Sequence, residues 1–344
     1  MKVALLGFAQ AGKKTLFSLL TGRPLPAGHR EGESLEGVAA IQDPRVDAIA
    51  AIAKPEKIKY AEVNVVLCPD LEEGTGARPW LEAVRRCDLL CVVVRAFASE
   101  EVYHPAGSVD AARDRSNIET ELIFADLEMT EKRLERLEKE KRAGLNQVQQ
   151  LEEKTLLRIR EGLGKNQPAS TLDFTAQETA AIRSLGLVTL APVLWAYNVG
   201  ESEVAQPLTA HNEFRVSCRI EQEIMAFEDP AERVEYLKGL GLEESGLARL
   251  NRAAYDTLGL MSFYTMGPDE CRAWTIRKQT PAPAAGGKIH SDIERGFIRV
   301  EVIKYDDLMA LGSEEEAKKQ GRALLKGRDY IIEDGDICHF RFNV

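Results

Sequence analysis

The chain has 344 residues, too many for one small core, so two or three domains are expected. Its composition is 44% apolar and 29% charged, and no apolar run reaches the roughly 18–20 residues that a membrane-spanning helix needs. The net charge of −10 argues against nonspecific coating of nucleic acid by the whole chain, while leaving room for a local basic patch.

Met1-Lys2-Val3-Ala4-Leu5-Leu6 is apolar only briefly before a glycine-rich loop, so it predicts a buried first strand rather than a signal peptide. Residues 12–20 follow at helical spacing. Residues 63–68 form a second β run, 80–86 a helical one, and 89–94 a third β run. This alternation predicts a parallel sheet with helices on both faces. From residue 118 to about 162 the character changes: Leu127, Leu134 and Leu137 recur amid Glu, Lys and Arg, and the pattern resumes with Val148 and Leu151. A break at Gly144 predicts two helices folded back as an antiparallel hairpin, in preference to one long solvated helix.

Residues 165–170 read as a polar linker. Residues 193–197 form another strand, and 231–260 read as helical. From about Cys271 short β periods alternate with helical pieces, which predicts a separate α+β domain. The six cysteines, Cys68, Cys87, Cys91, Cys218, Cys271 and Cys338, form no CxxC pair and predict reduced, mostly buried thiols. No histidine spacing supports zinc.

The strongest motif is Gly7-Phe8-Ala9-Gln10-Ala11-Gly12-Lys13-Lys14-Thr15, between a predicted strand and a predicted helix. That is the context of a Walker A loop. Its backbone N–H groups and the helix N-terminus favour phosphate, and Lys13 would reach the outer phosphates. The candidate phosphate-binding residues are Gly7, Gln10, Ala11, Gly12, Lys13, Lys14 and Thr15. The residue after Gly-Lys should carry the hydroxyl that binds Mg²⁺, and here it is Lys14. Thr15 is no simple substitute, because successive helical residues point about 100° apart. Lys14 either neutralises phosphate itself or bends out to solvent.

Further segments make the chain resemble the Obg-like ATPases of the YchF branch over nearly its whole length. They are Asp43-Pro44-Arg45-Val46-Asp47, Lys54-Pro55-Glu56, Asn198-Val199-Gly200-Glu201 and Gly241-Leu242-Glu243-Glu244-Ser245-Gly246-Leu247. The most specific runs from Arg272-Ala273-Trp274-Thr275-Ile276-Arg277-Lys278 to Gly296-Phe297-Ile298-Arg299, and the ending from Asp334 to Val344 fits as well. The resemblance implies an α/β P-loop G domain with a parallel-sheet core, an inserted antiparallel helical coiled coil, and a C-terminal β-grasp (TGS) domain. The corresponding boundaries are 1–115 with 170–270, then 116–169, then 271–344.

The resemblance also implies ATP, with GTP as the alternative. The guanine-reading Asn-Lys-x-Asp motif is replaced by Asn198-Val199-Gly200-Glu201, which lacks its Lys and Asp. Asn198, Val199 and Glu201, together with Ser217 and Cys218 in the last base-contacting loop, are the candidate base-binding residues. The family's metal-handling Asp-x-x-Gly run is altered: Leu67 stands at the Asp and Asp70 at the Gly. The loop over residues 72–76 is shorter than the family's, and the first switch offers no metal-binding Thr, with Glu31 or its neighbours in that place. His290 and His339 read as structural or recognition groups.

The function expected is therefore a YchF-like purine-nucleotide binder that prefers ATP and is regulatory, with weak or absent Mg²⁺-dependent hydrolysis. No catalytic residue and no metal ligand is assigned. An active ATPase with altered metal chemistry, and a ribosome- or RNA-associated adaptor using the G domain as a scaffold, are the alternatives. Partners would be nucleotide and, through the TGS and helical domains, ribosome or RNA, in the cytoplasm and away from membranes.

Overall fold

The computed structural model describes residues 1–72, 74, 78–206, 210 and 212–343. Among them the strands are β1 Lys2–Leu6, β2 Leu35–Ile41, β3 Lys57–Lys59, β4 Ala61–Leu67, β5 Leu89–Arg95, β6 Val193–Asn198, β7 Glu213–Val216, β8 Leu260–Thr265, β9 Glu270–Arg277, β10 Phe297–Lys304, β11 Leu324–Lys326 and β12 Asp336–Phe342. The helices that matter below are α1 Lys13–Thr21, α2 Pro44–Ala53, α3 Leu81–Val84, α4 Ala111–Glu140, α5 Gln147–Gly164, α6 Ala176–Ile182 and α7 Cys218–Ala226. The chain forms two compact units, Met1–Val38 with Asn64–Leu247, and Ala39–Val63 with Ala248–Val344. No described helix is long and apolar enough to cross a membrane.

The first unit is built on a six-stranded sheet ordered β2-β4-β1-β5-β6-β7. From β4 through β1, β5 and β6 to β7 every pairing is parallel. All seven residues of β5 are buried, as the unbroken apolar run of a central parallel strand requires. One face packs Trp80, Leu90, Val92 and Trp195 against Ile118, Leu122 and Ala125 of α4. These strand ends carry the loops of the candidate site.

Helices α4 and α5 fold back on each other, as the break at Gly144 predicts. Gly144 has φ +90°, and Asn146 and Gln149 form a reciprocal capping box that starts α5. Leu137, Leu156, Ile159 and Leu163 bury a common seam. Arg133 grips Glu152 with two hydrogen bonds of 2.7 Å each. The seam differs from the expected one at Val148, which is 63% exposed. It lies in the first turn of α5, and the buried face of that helix runs through Glu152, Thr155, Leu156 and Ile159 instead.

The second unit carries a six-stranded mixed sheet ordered β11-β10-β12-β8-β9-β3. Strand β10 is antiparallel to β11 and β12, β12 is parallel to β8, and β8 is antiparallel to β9. Phe263, Ile276, Val300, Val302 and Phe340 form its core with Ala282 and Ala285 of the helix Ala282–Ile289.

The second unit holds more chain than residues 271–344. β8 lies in it, and residues 39–63 add α2 and β3, which pairs parallel with β9. An ionic cluster is the physical reason. Asp43 caps α2 by accepting from Arg45 N at 3.0 Å, and also accepts from Arg45 Nη2 at 2.9 Å and from the Tyr264 hydroxyl at 2.5 Å. Arg45 reaches Asp334 at 2.6 Å, and Asp334 accepts from Ser262 N at 3.0 Å. The segments beginning at Asp43 and at Asp334 thus meet in one network.

Candidate functional site

The site starts where β1 ends. Gly7 has φ +148°, and a Cβ on it would lie 2.3 Å from the Val93 carbonyl oxygen of β5, so no side chain fits. Gln10 takes φ +60°, and Gly12, at φ +99°, is the N-cap of α1. The chain therefore curls between β1 and α1 in the manner of a phosphate-binding loop, with the helix N-terminus at its base. Ala11 is buried and Thr15 half-buried.

Lys13 is 3% exposed, and its ammonium is held inside the loop. It donates to Gly7 O at 2.7 Å, to Phe8 O at 2.8 Å and to Asp70 Oδ1 at 2.5 Å. Burial pulls the pKa of Lys13 down and outweighs the opposing pull of Asp70, so the net shift is below the usual lysine value. Asp70 follows β4 and stands next to Leu71, whose N–H donates to Gly7 O at 3.1 Å.

The base-side residues come to the same loop. Asn198 ends β6 and is buried; its side chain donates to Ala11 O at 3.1 Å and accepts from Cys218 N at 3.1 Å. A Cβ on Gly12 would lie 2.3 Å from Asn198 Nδ2, so this tie also requires glycine there. Ser217 caps α7. Val199 is buried and bonded through its N–H to Val216 O at 2.9 Å. Glu201 lies on an exposed turn beyond β6, apart from these contacts. Burial pushes the Cys218 thiol up to about 12, so it stays protonated at neutral pH.

A magnesium ion does not fit the residues present in its usual P-loop manner. At the hydroxyl position the Lys14 ammonium reaches Glu31 Oε1 at 3.0 Å, with the Lys14 side chain 45% exposed. Leu67, at the carboxylate position, is buried in β4 and paired in register with Leu5. Among the described residues no cluster of three or more His, Cys, Asp or Glu could hold a metal. Glu73, Thr75 and Gly76 of the shortened 72–76 loop lie outside the described residues.

Two contacts escape the sequence reading. Lys14 and Glu31 are each singled out there but not joined. Asp70 is placed there at the family's glycine, without the bond to Lys13; an acid at that position is the only local signal. His290 is explained locally: its ring nitrogen accepts from Asp292 N at 3.2 Å and caps the short helix Ser291–Arg295. His339 is exposed on β12.

Parallel sheet, glycine loop, buried lysine and Asn198 tie together define a P-loop domain of the G-domain type. A family model described as YchF-GTPase_C, a protein of unknown function, matches residues 260–343. Over its full length the chain is 35% identical to a ribosome-binding ATPase YchF of Bacillus subtilis, covering 100% of both proteins. It is 36% identical to one of Haemophilus influenzae, covering 100% of this chain and 99% of that one. The solved structure of the YchF GTPase of Schizosaccharomyces pombe superposes with a TM-score of 0.81 at 30% identity, covering 99% of this chain and 97% of that one. The chain belongs to the YchF family.

Proposed function

We propose that this chain is a regulatory purine-nucleotide binder that prefers ATP to GTP, with weak or absent Mg²⁺-dependent hydrolysis. The observation that carries the reading is the pairing of a well-formed phosphate loop with Lys14 in place of the metal's hydroxyl ligand. A P-loop site normally uses the ion to bridge the outer phosphates and neutralise developing charge. Without the hydroxyl, and with Leu67 where a carboxylate would hold the ion's water, that assistance is weakened. The nucleotide would lie across Gly7, Gln10, Ala11, Gly12, Lys13, Lys14 and Thr15, with its base towards Asn198, Val199, Glu201, Ser217 and Cys218.

The preference for ATP rests on Asn198-Val199-Gly200-Glu201, which keeps the loop-bracing Asn but lacks the guanine-pairing Asp. The relatives' names are divided between ATPase and GTPase. The same names support a cytoplasmic role at the ribosome, with the helical segment 116–169 and the TGS segment 271–344 as contact surfaces beside a P-loop module of 1–115 and 170–270.

Two measurements on the full chain test this reading. Side-by-side titration should show tighter binding of ATP than of GTP, and a clear preference for GTP would sink the base assignment. Turnover of ATP should be very slow with or without Mg²⁺. Strong magnesium-dependent turnover would show that the active-ATPase reading is the right one.

A further inference from the structure

Lys13 finds all its hydrogen-bond acceptors within the protein. An ammonium has three donors, and all three are engaged by Gly7 O, Phe8 O and Asp70 Oδ1. A phosphate oxygen can reach Nζ only by displacing one of them. Two are backbone carbonyls of the loop itself, and Gly7 O also accepts from Leu71 N at 3.1 Å. The third is a carboxylate on a side chain 35% exposed, which is free to rotate towards water. Asp70 is therefore the partner that yields.

Rotation does not take Asp70 far. Cys68 N donates to Leu5 O at 3.1 Å, Leu71 forms a bridge with Phe8, and Leu71 is 3% exposed. The backbone on both sides of Asp70 is thus pinned to β1 and the start of the loop. A displaced carboxylate stays on a short tether beside the outermost phosphate. The neighbouring cation, Lys14, meets Glu31 at 3.0 Å across exposed surface and must leave that weak contact before it can offset the repulsion. Two like charges at such range in a partly dry site repel strongly, and a triphosphate brings one more phosphate, with its charge, into the place next to Asp70.

We propose that Asp70 occupies the terminal-phosphate position on Lys13 and makes this P-loop select nucleoside diphosphates over triphosphates. The proposal rests on the nucleotide-binding reading above and refines it. ATP is still preferred to GTP by the base side, but ADP is the form that the phosphate side holds best. A P-loop that favours the diphosphate without a metal acts as a sensor of the spent nucleotide.

The test is equilibrium titration of ADP and ATP, without Mg²⁺, into the full chain and its Asp70→Asn, Asp70→Gly and Asp70→Glu variants. Melting curves are recorded first, and Asp70→Gly serves if the Asn variant is unstable. The wild type should bind ADP more tightly than ATP. Asp70→Asn and Asp70→Gly should tighten ATP by about tenfold or more and ADP by far less, as loss of one nearby negative charge requires. Asp70→Glu, which keeps the charge, should retain the preference for ADP. An ADP-to-ATP affinity ratio that is the same in the wild type and both neutral variants overturns the proposal and leaves nucleotide binding intact. Absence of binding by either nucleotide to all four proteins overturns the proposal and the nucleotide reading together.

Discussion

Two ionic clusters hold the two units of this chain, and they differ in how they are completed. In the second unit, Asp43 accepts from the Arg45 backbone, the Arg45 guanidinium and Tyr264, while Arg45 also reaches Asp334. Asp43 is only 13% exposed, and its donors come from Arg45 and Tyr264, neither of which lies on a ligand loop. In the first unit, Lys13 is 3% exposed, and Asp70, one of its three acceptors, is about as exposed as Arg45 but stands beside a loop shaped for phosphate. A buried charge whose partners are all fixed holds a fold together. A buried charge with one replaceable partner can exchange it for a ligand.

The largest effect should separate the clusters outright. Lys13→Ala should weaken ADP binding by more than about a hundredfold, because the loop then has no buried cation for phosphate. Its thermal midpoint should move little. Equal losses of binding and stability would mean that Lys13 holds the fold as Arg45 does. Arg45→Met should do the opposite, lowering unfolding free energy in urea by about 2–3 kcal/mol while leaving ADP affinity within about twofold. Arg45 is 31% exposed, so the loss stays below that for a fully buried pair.

Acid should reveal the same cluster. Burial raises the pKa of Asp43, but the hydrogen bonds from Arg45 and Tyr264 outweigh it, so the net shift is downward. A depressed carboxyl contributes stability that is present above its unfolded value near 4 and is lost as pH falls through its folded value. Stability should therefore drop below about pH 4, and the drop should be shallower in Arg45→Met. Equal acid limbs in the two proteins would mean that Asp43 does not draw its stabilisation from Arg45. The smallest change concerns Lys14→Ser, which should raise the Mg²⁺ dependence of ATP binding by no more than about tenfold, since Leu67 still stands at the carboxylate position. A larger gain would mean that the missing carboxylate at position 67 contributes little to holding the ion.

What could be read from the residues alone was the part encoded locally. The phosphate loop is contiguous, and its glycines announce backbone that other residues cannot adopt. The hairpin turn is announced by Gly144 between two charged helices. Asn198 follows a strand at the place where a loop-bracing Asn belongs. The ionic partners were not legible, because their separation along the chain is large: 57 residues from Lys13 to Asp70 and 289 from Arg45 to Asp334. Sequence spacing carries no information about such pairs until the strands that bring them together are placed. For the same reason α2 and β3 read as parts of the P-loop region, whereas pairing with β9 puts them in the second unit.

That pairing has a consequence for synthesis. Lys57 in β3 meets Glu270 in β9, about 200 residues later in the chain. At about 5–20 residues per second, β3 waits roughly 10–40 s for its neighbour to be made. During that time β1, β4, β5, β6 and β7 are all available to form the first sheet. A waiting strand risks capture by the wrong edge, and its composition counters this. β3 is Lys57-Ile58-Lys59, only three residues long, and lysines on a short edge strand discourage false pairing. Once β9 arrives, Lys59 gains its own partner, Glu270, at 2.6 Å. The charge that keeps the strand apart on the ribosome becomes a contact that marks its proper register.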